Sequence, residues 1–301
     1  MRSRARRGFA LLAVLWVIAG LSALALGIAL AGRQAVAAAR NRQDLAHAEW
    51  RAKECAEQAR AVIADTLARG GWAVLDRVVH AATSTRSDCA VTMRAAGARL
   101  DVNSATPEVI GTLLGQLDVP APRRDSMVDA LLDWRDVDDV VRPLGAESAW
   151  YAARGRPLPR NGPLADIREL HFVRGFESFA ALDTLLDVDD ARVPLGQAPA
   201  AVLAALPGIG GEAAARIMQL RARGDPIADV SALAAQLSPG ARDELLARYA
   251  DLAGKVVSEP DAWILTVSAT RGTPAVTAVL ELRLVRSGTR AAIVRHRTWI
   301  G

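Results

Sequence analysis

From Phe9 to Gly32 the chain carries no charged residue. Beyond that run, Leu45, Ala48, Ala52, Cys55, Ala59, Val62 and Thr66 recur at steps of three and four, with Asp44, Glu49, Lys53 and Glu57 on the complementary side. Such spacing lays one apolar stripe along a helix. Nothing breaks the two halves apart before Gly70-Gly71, so one helix of about 60 residues is predicted, ending near Arg69. A short helix is expected near Trp72–His80, followed by a polar turn from Thr83 to Asp88. Two strands or a bent hairpin are expected over Ala90–Arg94 and Ala98–Val102.

Residues 103–250 read as mostly helical, punctuated by Pro and Gly, and hold nearly all the acidic motifs. Alternation returns at Trp263–Val267, Ala275–Val285 and Arg290–Ile300. Strands on both sides of a helical block predict one antiparallel sheet interrupted by an insertion, hence an α+β fold. The expected organisation is a helix whose first half is residues 9–32, a first head segment at 33–102, an insertion domain at 103–250 and closing strands at 251–301.

A helix over Phe9–Gly32 spans roughly 36 Å, enough to cross a hydrocarbon core of about 30 Å. Arg2, Arg4, Arg6 and Arg7 precede it. A secretory signal has an apolar core of only ~7–15 residues with a small-residue cut after it. Here the small-residue junction, after Gly8, lies ahead of the run. The arginines are expected to stay cytoplasmic and the remaining roughly 270 residues to face the other side, anchored rather than released.

The net charge of +4 and pI of about 9.6 rest on arginine, since Lys53 and Lys255 are the sole lysines. Four of those arginines sit in the first eight residues, so the charge balance argues only weakly for nucleic acid. Cys55 falls on the buried stripe of the long helix, and Cys89 opens the first strand. Two readings stand: a disulfide between them, which would persist outside the cytoplasm, or two separately buried thiols. Neither has a second Cys or a His at zinc-ligand spacing.

The segment Arg6-Arg7-Gly8-Phe9-Ala10-Leu11-Leu12-Ala13-Val14-Leu15-Trp16 resembles the type IV prepilin leader. The resemblance implies a leader at residues 1–8, cleavage between Gly8 and Phe9 by a prepilin peptidase, and N-methylation of Phe9. Most pilins carry Glu at the fifth mature position, where this chain has Ala13. A carboxylate inside a bilayer is costly unless paired, so a subunit lacking it need not have another subunit beneath its membrane helix. Further stretches, Arg99–Ile110, Leu131–Asp139, Arg142–Glu147, Pro159–Leu164 and Glu169–Phe176, together with the closing strands at Arg295 and Trp299, resemble the minor pseudopilin K family of type II secretion. The chain departs from it at Val193–Pro199, where that family usually has an Asn-rich turn. The resemblance implies a pilin-like head with a helical insertion and no enzymatic activity. It also implies a single-pass place in the bacterial inner membrane through Phe9–Gly32, with the bulk in the periplasm. Minor pseudopilins I and J (and H) and the inner-membrane secretion platform are the implied partners.

Asp125, Asp129, Asp133 and Asp136 follow helical spacing, and Asp138-Asp139 crowd the expected helix end. Carboxylates there oppose the helix dipole and repel one another by a few tenths of a kcal/mol per exposed pair. A bound cation reverses that sign. Calcium takes six to eight oxygens, and Asp138, Asp139 and Glu147, brought together across the Arg142-Pro143 turn, are the expected ligands. The competing reading is a solvated acidic face paired with Arg135 and Arg142. The family resemblance leans towards calcium without fixing the ligands.

Leu206–Ile217 matches a helix-hairpin-helix: Gly208 and Gly210 permit the turn, Ile209 packs inward, and Ala215 is expected to allow close helix contact. In DNA-binding versions the hairpin amides hold a phosphate, with Arg216, Arg221 and Arg223 adding charge. Glu212 beside those amides would repel phosphate, which favours a packing module. His47, His80, His171 and His296 are scattered, and no nucleophile motif stands beside them. Two other readings remain: a membrane-anchored periplasmic DNA receptor and a minor pilin of a type IV pilus.

Overall fold

The computed structural model describes residues 4–71, 75–83, 89–288 and 290–300, with side chains from Leu11 onward. Arg2, Trp72 and residues 84–88 of the expected polar turn lie outside them. Helix α1 runs unbroken over Arg4–Ala68 and contains the Gly8–Phe9 junction. It ends where the Gly70 and Gly71 amides fold back to the Leu67 and Thr66 carbonyls, each at 3.0 Å. Gly70 takes a left-handed φ of 75°, as a helix stop requires. From Leu11 to Leu30 the large apolar side chains of α1 are all exposed. Further on, Ala48, Ala52, Cys55, Ala56, Ala59, Ile63, Thr66 and Leu67 are buried. The predicted stripe thus faces the head, although Leu45 and Val62 are only half-buried.

Helix α2 (Leu75–Thr83) lies beside α1 and leads to β1 (Cys89–Ala95). Next, β2 is only Leu100–Asp101. The insertion opens with α3 (Pro107–Gln116), α4 (Ala121–Arg135) and α5 (Ser148–Ala152). Two 3-10 stretches, Ile167–Phe172 and Ala180–Thr184, precede β3 (Leu186–Asp187) and β4 (Val193–Pro194). Helices α6 (Ala200–Ala205), α7 (Gly210–Arg223), α8 (Val230–Ala234), α9 (Pro239–Ala247) and α10 (Tyr249–Leu252) follow, then β5 (Val256–Val257). Three long strands close the chain: β6 (Ala262–Arg271), β7 (Val276–Ser287) and β8 (Arg290–Ile300).

The main sheet is antiparallel in the order β1-β6-β7-β8, so β1 joins strands from the far side of the insertion. Of the two expected readings, two separate strands form rather than a hairpin of Ala98–Val102 with β1. Instead β2 pairs in parallel with β3 inside the insertion, and β4 pairs in parallel with β5. The reason is steric. At Gly97 (φ 75°) the chain turns away from the sheet and passes so close to Arg192 that a Cβ would lie 2.2 Å from its carbonyl oxygen.

Alternation along the strands sorts the two faces of the sheet. Val91, Ala95, Trp263, Leu265, Val267, Leu280, Leu282 and Leu284 pack with the α1 stripe. The opposite face carries Arg94, Glu281, Arg283 and Arg295, and it meets the insertion through charge. Asp189, fully buried, lies 3.4 Å from Arg283 and 3.0 Å from Arg295. Arg283 also donates to the Asp190 carbonyl at 2.7 Å, and Arg94 pairs with Asp187. Burial pushes the Glu281 carboxyl up in pKa, against the pull of Arg94 and Arg295. A buried carboxylate is tolerable only with such partners. The insertion has its own core, from Val109, Leu113 and Leu131 through Tyr151 and Phe176 to Ile217 and Leu245.

Cys55 and Cys89 form a disulfide that ties α1 to β1, with Cα atoms 6.8 Å apart and a sequence separation of 34. A cross-link closing a loop of that length contributes about 4 kcal/mol in the chain-entropy description. The Cys55→Ser/Cys89→Ser double variant is expected to lose about that much in denaturant unfolding of the full chain; a loss below about 1 kcal/mol would show that the link constrains little.

Candidate functional site

The acidic group is built where the chain folds back over the last turn of α4. Met127, Ala130, Leu131 and Trp134 turn one side of α4 into the insertion core. Trp134 and Trp150 stand edge-on to Tyr151, at 5.2 Å and 4.9 Å between ring centroids, so these aromatics serve packing. After Asp136 ends the helix, residues 137–146 return across it. Gly145 approaches so closely that a Cβ there would lie 2.0 Å from an Asp133 carboxylate oxygen. The return covers Asp133 completely. Its carboxylate accepts from the Arg142 amide at 3.3 and 3.4 Å, and the Arg142 Nε stands 3.2 Å away. Arg142 Nη2 donates to Asp136 at 3.1 Å.

Glu147, just ahead of α5, is 4% exposed. Both its carboxylate oxygens, and Oδ1 of Asp136, are buried without a hydrogen-bond partner. Oxygens of Asp133, Asp136 and Glu147 all fall within 4.8 Å of one another. Burial, then the nearby charges of Asp133, Asp136 and Asp139, push the Glu147 carboxyl up to about 7. Burial also raises Asp133, against the amides of Arg142 and Ala146. Three carboxylates facing a single guanidinium, two of them buried and Asp136 half-buried, leave excess negative charge that a divalent cation with a preference for hard oxygen would offset. The donor set suits calcium in kind, and the orphaned Glu147 oxygens are aimed into the group.

Of the ligands expected from the sequence, Glu147 joins this group, while Asp138 and Asp139 serve as loop staples. Asp138 accepts from the Val140 amide at 2.9 Å; Asp139 accepts from the Ser148 hydroxyl at 2.9 Å and from Asn161 at 3.1 Å. Asp133 and Asp136 take the places next to Glu147. Asn161, unforeseen, has a left-handed φ of 50° and a buried, unpartnered side-chain oxygen beside the same loop. The only sequence sign of it was its turn, Arg160-Asn161-Gly162-Pro163. The expected pairing of Arg135 with this acidic face does not form. Its guanidinium instead donates to the carbonyls of Val102, Asn103 and Ala105.

The second candidate lies at α6–α7. Gly208 and Gly210 both take left-handed φ, 76° and 59°, and Ile209 is buried between them. A Cβ on Gly208 would lie 2.8 Å from Arg248 and 3.3 Å from the Leu245 backbone, so the turn seats against α9. Close contact comes from Ala213 and Ala214; Ala215 is exposed, contrary to expectation, because α7 is rotated by one position. The arginines proposed for phosphate are engaged elsewhere. Arg221, its pKa lowered by burial, donates to the Leu195 and Ala198 carbonyls; Arg216 holds Gln236, and Arg223 holds Asp225. Glu212 accepts from the amide and hydroxyl of Ser238 at 2.7 and 2.8 Å.

The stem is the third. Leu11–Ala68 is one helix long and apolar enough to cross a membrane.

The family described as Type II secretion system (T2SS), protein K matches residues 89–187, from the disulfide-bonded Cys89 to the seam residue Asp187. No curated protein matches the chain by sequence. Among solved structures, a chain of the GspK-GspI-GspJ complex from the enterotoxigenic Escherichia coli type 2 secretion system shares the fold. Its TM-score is 0.66 and its identity 22%, over 86% of this chain and 98% of that one. The family match covers about a third of the chain, and the structural match extends the likeness of fold over most of it.

Proposed function

We propose that this chain, as a minor pseudopilin K of type II secretion, starts assembly of the periplasmic pseudopilus and caps its tip, without enzymatic chemistry. The observation that carries this reading is the helical insertion, fixed by the buried Asp189–Arg283–Arg295 seam to the sheet face opposite α1. An insertion held on that face would obstruct the addition of another subunit above it. Ala13 in place of the usual Glu gives the membrane helix no carboxylate to pair with a neighbouring amino terminus, which suits a subunit that leads rather than follows. Minor pseudopilins I and J are the proposed tip partners, H the next subunit, and the inner-membrane platform the site of assembly. The internal use of Arg216, Arg221 and Arg223 favours this reading over a DNA receptor.

Prepilin peptidase would cut between Gly8 and Phe9 and methylate Phe9, leaving α1 as a single-pass inner-membrane anchor with the head in the periplasm. Mass spectrometry of the mature product should show N-methyl-Phe9 at its start; an uncut start, or a cut beyond Gly32, contradicts the assignment. The full-length chain in detergent should co-purify with pseudopilins I and J and leave DNA unshifted in a gel. Salt-sensitive DNA binding lost in Arg216→Ala/Arg221→Ala would favour the receptor instead.

Asp133, Asp136 and Glu147 are proposed to hold calcium, which would make their buried negative charge tolerable and lock the loop above them. Calorimetric titration should lose its calcium signal in Glu147→Gln; an unchanged signal removes Glu147 from the ligand set. The pH dependence has a definite sign. A folded pKa of about 7 against 4.5 unfolded means the folded state holds the proton more tightly. In chelator, the contribution of Glu147 to stability is therefore full below about pH 4.5 and falls by roughly 3 kcal/mol as pH rises to about 7. Glu147→Gln should flatten that slope, and calcium should cancel it at neutral pH.

A further inference from the structure

Residues 137–144 hold their aliphatic side chains out in water. Val137 is 85% exposed, Val140 74%, Val141 58% and Leu144 48%. A free loop with four such side chains would be expected to fold them inward, yet this one is anchored from several directions. Asp129 accepts from the Leu144 amide at 3.1 Å, and the Ser126 hydroxyl donates to the Leu144 carbonyl at 3.1 Å. Asn161 holds the Asp138 carbonyl at 3.2 Å, Arg174 holds the Gly145 carbonyl at 3.0 Å, and Arg142 is bound to Asp133 and Asp136. The anchors fix the backbone and leave the valines to project. Rigid presentation of several apolar side chains from one anchored loop is how an interaction site is displayed.

The charge around the patch narrows the partner. Asp138 and Asp139 are exposed beside the valines, and Arg142, the one cation within the segment, is turned to Asp133 and Asp136. An anionic lipid surface would be repelled by those carboxylates, and a second copy meeting the same patch across a two-fold axis would bring like charge against like. We propose that residues 137–144 form a docking surface for a protein partner that presents an apolar recess bordered by arginine or lysine. The valines fill the recess, and the two aspartates meet the basic rim. The secretion readout below rests on the tip-subunit reading; co-purification with I and J separates failure of one from failure of the other.

The test uses the full-length chain, replacing the native copy in secreting cells. Val137→Asp/Val140→Asp/Val141→Asp is expected to cut secretion at least tenfold, with co-purification of I and J unchanged. Should that variant fail to assemble, Val140→Thr/Val141→Thr, which keeps side-chain shape, is expected to lower secretion several-fold with assembly intact. Wild-type secretion by assembled aspartate or threonine variants overturns the proposal. A photo-crosslinking residue at position 140 should join a different protein within reach of an Arg or Lys. A lipid adduct or a cross-link to a second copy of this chain overturns it equally.

Discussion

Ala52, Ala56 and Ala59 let the axis of α1 lie close to the main sheet, and Trp263, Leu265, Val267, Leu280 and Leu282 fill the space beside them. Small side chains on the helix and large ones on the strands are what a long straight element needs to cover a twisted surface without voids. This contact orients everything else. It gives the strands a dry face, and alternation then turns Glu281, Arg283 and Arg295 to the other side, where the insertion must meet charge with charge. The contact also sets where the stem leaves the head, since the stripe stops being buried before Leu45 and α1 continues bare through its apolar first half.

Elements with a strong period were legible. The long helix showed in its three-four stripe, and β1, β6, β7 and β8 showed in their alternation, although β6 and β7 extend beyond the expected limits. The two-residue strands were not legible, because a pairing such as Leu100 with Leu186 is decided by how distant segments meet, not by local pattern. The seam was missed for a related reason. Arg283 between Leu282 and Leu284 reads as a solvent-facing position, and a sequence does not distinguish a polar face open to water from one covered by an inserted domain. Asp189 carried no signal beyond its place in an acidic turn.

The acidic centre was half legible. Its region, with Glu147 in it, could be read from the crowding of carboxylates, but Asp133 and Asp136 looked like ordinary members of an exposed helical row. What buries Asp133, and half-covers Asp136, is the return of the chain across α4 at Gly145, a tertiary event with only one small residue as its trace. The same return lifts the valines of residues 137–144 outward. The buried charges and the exposed aliphatics are thus two sides of one loop: the carboxylates below hold the shape that the surface above displays.

The covalent tie between Cys55 and Cys89 bears on how the molecule carries load. A pull along the axis of α1 would act on its contact with the sheet in shear, and alanine side chains offer little to resist sliding. A bond from the middle of the buried stripe to the inner end of β1 converts that sliding into tension on β1, whose seven-residue ladder with β6 is itself sheared as a unit. Force entering at the stem is thereby handed to the strands, and through Arg94 and Asp187 to the insertion beyond them, without first peeling the helix away.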